Sequence, residues 1–157
     1  MQKKNKISAE IILGNCKKSA KEIILSQLKT GDIIKVKSNF LPIIYHYGIV
    51  CIKNNESIVY HNDPDKLNLR GGNIIREQTS TWIKDKEVVE VISTNHTCES
   101  IEKEVKNNIH KKYDFFNYNC EHFVLSINRS DFFSPQVVGW TIVLSAAVLS
   151  YYIFKKK

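Results

Sequence analysis

Hydrophobic residues change their rhythm several times along this chain. Across residues 1–28, a polar tip leads into Ile7, Ile11, Ile12, Cys16, Ala20, Ile23 and Ile24 at helical spacing, with lysines between them. This period predicts an amphipathic helix, with Gly14-Asn15 as a break inside it. After the turn signal Lys29-Thr30-Gly31-Asp32, β-branched runs take over. They predict strands over 33–37, 43–52, 57–61, 73–76 and 88–93, with a helical turn at 81–84 before the last. A second helix is expected over 99–112, where Ile101, Val105 and Ile109 share one stripe. Glu99, Glu102 and Glu104 lie early in it and Lys111 and Lys112 late, as the helix dipole favours. A third helix is expected over 120–128. The predicted fold class is α+β, a small antiparallel sheet packed against helices.

The end of the chain is different in kind. No charged residue occurs from Phe132 to Phe154, and Val137 to Phe154 is almost wholly apolar. At about 1.5 Å per residue, such a stretch spans roughly 27–34 Å, the thickness of a bilayer core. Trp140 stands near one end, Tyr151-Tyr152 near the other, and Lys155, Lys156 and Lys157 close the segment. A buried core helix is the alternative, but 157 residues leave little room to enclose a helix apolar all round. The expected organisation is an N-terminal helical segment over 1–28, a domain over 29–133 and a transmembrane anchor with a basic tail over 134–157.

The net charge of +7 raises the question of nucleic acid. Three of these charges are the terminal lysines, leaving +4, and no basic stripe interleaved with aromatics appears. A nucleic-acid partner is therefore not expected. The four cysteines, Cys16, Cys51, Cys98 and Cys120, form no Cys-x-x-Cys pair and show no metal-ligand spacing. No signal peptide is visible at the start of the chain. Unpaired thiols then point to a reducing compartment, with the domain facing the cytosol, although the lysine cap argues for the opposite orientation.

Cys120 is the first candidate for chemistry. Asn119 is a good N-cap and Glu121 falls in the first turn of the following helix, so backbone amides and the helix dipole would favour a thiolate. A buried structural cysteine is the alternative. A nucleophilic thiol needs a base close in space. His122, two residues on along the same helix, points roughly 200° away, and packing or hydrogen bonding suits it better. His96 and His110 fall in polar surroundings where solvation is the default.

His46 and His61 are linked by a hairpin argument. A tight turn at Asn54-Asn55 pairs Gly48 with His61 and Val50 with Val59. His46 and His61 then project from one face as diagonal neighbours, roughly 7–8 Å apart at the backbone. An odd-length loop would separate them. No third ligand at suitable spacing accompanies the two imidazoles, so no metal or other cofactor is expected. Satisfied polar residues on a half-buried strand, or a base with its orienting partner, are the readings that stay open.

These blocks resemble a known family. Asn119 to Val124 (NCEHFV) is similar to the active-site signature of the lecithin:retinol acyltransferase-like enzymes, thiol hydrolases of the permuted papain-like superfamily. Tyr45 to Val50 (YHYGIV) resembles the family's His-box, Ile58 to His61 (IVYH) its second histidine strand, and LKTGDIIKV its first strand. The stretch Gly71 to Ile75, with Thr81-Trp82-Ile83, resembles the region between the two motifs in bacterial-type members. The likeness covers about residues 28–127. It implies a permuted papain-like fold, Cys120 as nucleophile, His46 as general base and acid, and His61 orienting His46. It also implies a thiol-dependent acyltransferase or phospholipase A-type activity on membrane phospholipid or another acyl lipid. Tyr47 and Cys51 depart from the family's usual Trp and Gly, and residues 1–28 and 62–70 have no counterpart in the lipid-acting members. A thiol amidase or peptidase of the same superfamily and a non-catalytic, membrane-tethered interaction module are the alternatives.

Overall fold

The computed structural model describes residues 19–38, 44–64, 70–128 and 134–155. The elements run Ala20–Gln27 (α1), Ile33–Lys37 (β1), Tyr45–Lys53 (β2), Glu56–Asp63 (β3), Arg70–Gly71 (β4) and Asn73–Gln78 (β5). They continue with Thr79–Ile83 (α2), Val88–Ile92 (β6), Cys98–Asn108 (α3), Tyr113–Asp114 (β7), Cys120–Asn128 (α4) and Pro135–Lys155 (α5). The fold is α+β, as expected from the pattern. Its centre is a five-stranded antiparallel sheet in the order β5-β3-β2-β1-β6.

The central hairpin forms as its turn chemistry dictates. Asn54 and Asn55 both take positive φ, 52° and 64°, which lets a two-residue turn follow the right-handed twist of its strands. The register is therefore Gly48 opposite His61 and Val50 opposite Val59. Elsewhere the elements shift by a few residues. The second helix stops at Asn108, short of residue 112, and the helical turn spans Thr79–Ile83. Of the N-terminal helix, only Ala20–Gln27 falls among the described residues, with Ser19 and Glu22 forming a reciprocal capping box. The earlier part, from Ile7 to Cys16, lies outside them.

Strand alternation gives the sheet two covered faces. On one, Tyr47, Ile49, Cys51, Ile58 and Tyr60 pack with Ile101 of α3 and with Cys120, Phe123 and Val124 of α4. On the other, Ile34, Val36, Val50 and Val59 pack around Trp82 and Ile83 of α2. Gly48 belongs to this second face. A Cβ added there would stand 2.5 Å from Val59 Cγ2 and 3.1 Å from the Trp82 ring. The space over Gly48 is thus already filled by Trp82. Gly48→Ala is expected to destabilise the fold by about 1–3 kcal/mol through overpacking, read as a lower denaturation midpoint.

One expectation needs correcting. Cys51 and Cys98 are not free thiols; they form a disulfide that ties β2 to the start of α3 across a sequence separation of 47. No spacing in the sequence marks this pair, because the two cysteines meet only when α3 packs on the sheet. Chain-entropy arguments give a loop of that length about 4 kcal/mol of stabilisation. The argument from unpaired thiols to a reducing compartment falls with it. Among the described cysteines, Cys120 alone is free.

The final helix, α5, has 21 residues, a length of about 32 Å, and no buried residue. Among the described residues it is the helix long and apolar enough to cross a membrane.

Candidate active site

The site begins where two strands part. Val50 accepts from Gly31 N and donates to Asp32 O, so even-numbered residues of β2 turn their backbone groups towards β1. Odd-numbered residues therefore face β3. Pairing with β3 nevertheless runs only from Gly48–His61 towards the turn. Beyond it, Asn62 and Asp63 continue alongside β5 instead. The backbone of Tyr45 and Tyr47 is left facing a split between β2 and β3.

The segment leading into α4 fills that split. Asn62, fully buried, donates from Nδ2 to Tyr118 O at 2.9 Å on the β3 side. On the β2 side, Cys120 Sγ lies 3.9 Å from Tyr45 O, and the Tyr47 N–H is aimed at the sulfur. Asn119 caps the helix as its residue type predicts: its Oδ1 accepts from Glu121 N at 2.9 Å and from His122 N at 3.0 Å. His122 Nδ1 accepts from Asn119 N at 3.3 Å, the local hydrogen-bonding role its position on the helix suggested.

The two histidines meet on the Trp82 face. His46 Nε2 and His61 Nδ1 are 3.0 Å apart, so one imidazole donates to the other. Both rings lean on Trp82, with centroids 5.7 and 5.3 Å from it. His46 Nε2 is also 3.6 Å from Asp63 Oδ1, and His61 Nε2 is 3.5 Å from Glu77 Oε2. The structure thus brings His46 and His61 together and sets Cys120 at the edge of the strand that carries His46. Among the described residues, no hydrogen bond joins the thiol to either imidazole.

Burial sets the electrostatics. Cys120 is 3% exposed, and desolvation pushes its thiol up to about 12, more than the Tyr47, Glu121 and Cys120 backbone amides lower it. Desolvation, with the Lys86 ammonium nearby, lowers His46 to about 3. His61 is lowered likewise, by burial first and then by its neighbours His46 and Lys86. The helix start therefore does not give the resting thiolate expected of it, because desolvation outweighs what the backbone amides contribute. Thiol and imidazole both rest neutral.

Four participants escaped the sequence reading. Asp63 follows His61 by two positions on β3, so simple alternation placed it on the same face. Trp82 and Lys86 arrive through α2 and the turn after it, which no local pattern connects to the histidines. Gln136, in the first turn of α5, is the least expected: its Oε1 accepts from Tyr45 N at 2.8 Å and its Nε2 donates to Tyr45 O at 3.1 Å. Glu121 secures the same turn, accepting from Gln136 N at 3.2 Å and from the Ser134 hydroxyl. The start of the apolar helix is therefore bonded to the residue whose carbonyl touches the thiol.

No protein-family description, curated protein or solved structure matches the chain.

Proposed function

We propose that this protein is a thiol-dependent acyl-transfer enzyme in the manner of the lecithin:retinol acyltransferase-like family, acting on a lipid ester at a membrane surface. The observation that carries the reading is the strand split, where Cys120, the one free thiol among the described residues, is wedged beside the strand bearing a hydrogen-bonded imidazole pair.

In this reading the His46 Nε2 atom is engaged by His61, which leaves Nδ1 as the base; since Cys120 and His46 pack on opposite sides of β2, the thiol proton reaches it through one water at the open strand edge. The sulfur then forms a bond to the ester carbonyl carbon while its proton sits on His46. When the tetrahedral adduct collapses, the carbon–oxygen bond breaks and His46 returns the proton to the departing alcohol, leaving an acyl-thioester on Cys120. Water, or a hydroxyl or amine acceptor, next attacks the thioester and restores the thiol. The Tyr47 N–H, aimed at the sulfur, and the Gln136 amide, bonded to the Tyr45 carbonyl beside it, are the donors that suit the oxyanion. Because both partners rest neutral, proton transfer belongs to the attack itself and not to a preformed ion pair.

The lipid preference follows from the place of α5. Gln136 touches the site and Val137 opens the apolar run, so the thiol lies within a turn or two of the point where the helix would enter a bilayer. An ester at the headgroup boundary suits that height.

Trapping tests the reading. Intact protein incubated with a labelled phospholipid should gain one acyl group as a hydroxylamine-labile thioester, absent in Cys120→Ala; no adduct on the wild-type chain rules the mechanism out. The pH profile adds an independent check. With His46 lowered to about 3, kcat/KM should stay flat from about pH 5 to 8. An acid limb centred near the ordinary histidine value of 6.5 would show that His46 is not a desolvated base.

A further inference from the structure

The donor atoms of His46, His61 and Asp63 all lie within 4.8 Å of one another. Two of the separations are informative: 3.0 Å between His46 Nε2 and His61 Nδ1, and 3.6 Å between His46 Nε2 and Asp63 Oδ1. Ligands at about 2.0–2.1 Å from a tetrahedral zinc ion stand about 3.3 Å apart; these two edges bracket the value, and the wider third edge, within 4.8 Å, closes by a rotation of the half-exposed Asp63 carboxylate. The outer nitrogen of His61 strengthens the case. Nε2 is buried without a hydrogen-bond partner among the described residues, yet it faces the Glu77 carboxylate at 3.5 Å. A histidine that binds a metal through one nitrogen commonly directs the other at a carboxylate, which fixes its tautomer and raises its basicity. Asp63 is half exposed and opens the cluster to solvent, whereas His61 closes it from inside.

We propose that His46 Nε2, His61 Nδ1 and Asp63 Oδ1 bind a divalent transition cation of the zinc class, with a fourth position left open. Binding displaces the proton shared by the two imidazoles, so His46 can no longer be held by His61 as a base. The cation is therefore a reversible inhibitor of the acyl-transfer reaction. That consequence rests on the function proposed above; the binding itself does not. Lys86 opposes the cation, since its charge reaches both rings. Its ammonium is engaged with Trp82 O at 2.7 Å and with the Trp82 ring. The cation site differs from Cys120 in its ligands: the thiol contributes nothing to it.

The test is a Co2+ titration of the full chain in detergent micelles, read by visible d–d absorption and then displaced with Zn2+. One equivalent should bind with the intensity of a four-coordinate site. Of the two acidic variants Asp63→Asn should weaken binding more, and Glu77→Gln by about 10–100-fold, the usual effect of losing an outer carboxylate. Lys86→Met should tighten it. Both acidic positions are half exposed, so these variants should keep the wild-type circular dichroism, and His61→Ala serves as the full deletion. Failure to bind Co2+, or binding unchanged in both Asp63→Asn and His61→Ala, overturns the proposal. So does a sulfur-to-metal charge-transfer band that disappears in Cys120→Ser. The readings separate cleanly: Co2+ binding without thioester formation removes the enzyme reading alone, and thioester formation without Co2+ binding removes the cation site alone.

Discussion

Cys120→Ala is expected to lower kcat/KM for ester cleavage by about 10⁴-fold or more, with His46→Ala close to it. In the proposed reaction the thiol supplies the atom that bonds to the acyl carbon, and no second free thiol lies among the described residues. His46 supplies the only route proposed for its proton. Because the two act as one unit, the double variant should be scarcely worse than Cys120→Ala, a non-additivity that separate structural roles would not produce. Cys120→Ser keeps the size of this buried side chain and separates loss of chemistry from loss of packing. His61→Ala should cost less, since in the proposed reaction His61 acts through His46, and its effect should fall mainly on kcat. The measurement is release of labelled fatty acid from phospholipid vesicles containing the intact chain. Retention of activity within about tenfold in Cys120→Ala would overturn the assignment.

Sequence reasoning reached the hairpin because one local rule determines it. Two consecutive asparagines accept positive φ, a two-residue turn fixes parity, and parity puts His46 and His61 on one face. The cap at Asn119 was readable for the same reason: donor and acceptor are neighbours in the chain. The separation of Cys120 from the imidazoles was not readable. It depends on β3 leaving β2 after Gly48–His61 to follow β5, and on residues 118–120 entering the gap, which are choices of tertiary packing. The thiol's electrostatics misled for a related reason. A helix start lowers a cysteine's pKa only if some solvent remains, and here the core closes over the sulfur so that desolvation outweighs the backbone amides. Cys51 and Cys98 look unrelated in sequence and become bonded only across the interface of β2 with α3. In each case the missing information is a long-range contact, whereas the correct inferences rest on residues a few positions apart.

Gln136→Ala should reduce kcat by about 10²–10³, the usual effect of removing one oxyanion donor. Its amide grips the Tyr45 backbone from both sides, accepting from N and donating to O, and the same carbonyl oxygen lies 3.9 Å from the thiol. Two roles are compatible with that geometry: holding the strand end that carries His46, or turning Nε2–H to the developing oxyanion. Gln136→Glu separates them. A carboxylate still accepts from Tyr45 N but offers no donor and places negative charge beside the oxyanion. If Gln136→Glu recovers most of the activity lost in Gln136→Ala, the residue positions Tyr45 and nothing more. If it is as inactive as Gln136→Ala with KM unchanged, the amide stabilises the transition state. Full activity in both variants would exclude Gln136 from the site. The choice matters beyond one residue, because Gln136 stands in the first turn of the apolar helix and Glu121, next to the thiol, bonds to that same turn. A donor role would mean that the proposed active site is completed by the apolar helix itself. Displacing α5 from the domain would then abolish turnover even when Cys120, His46 and His61 are all intact.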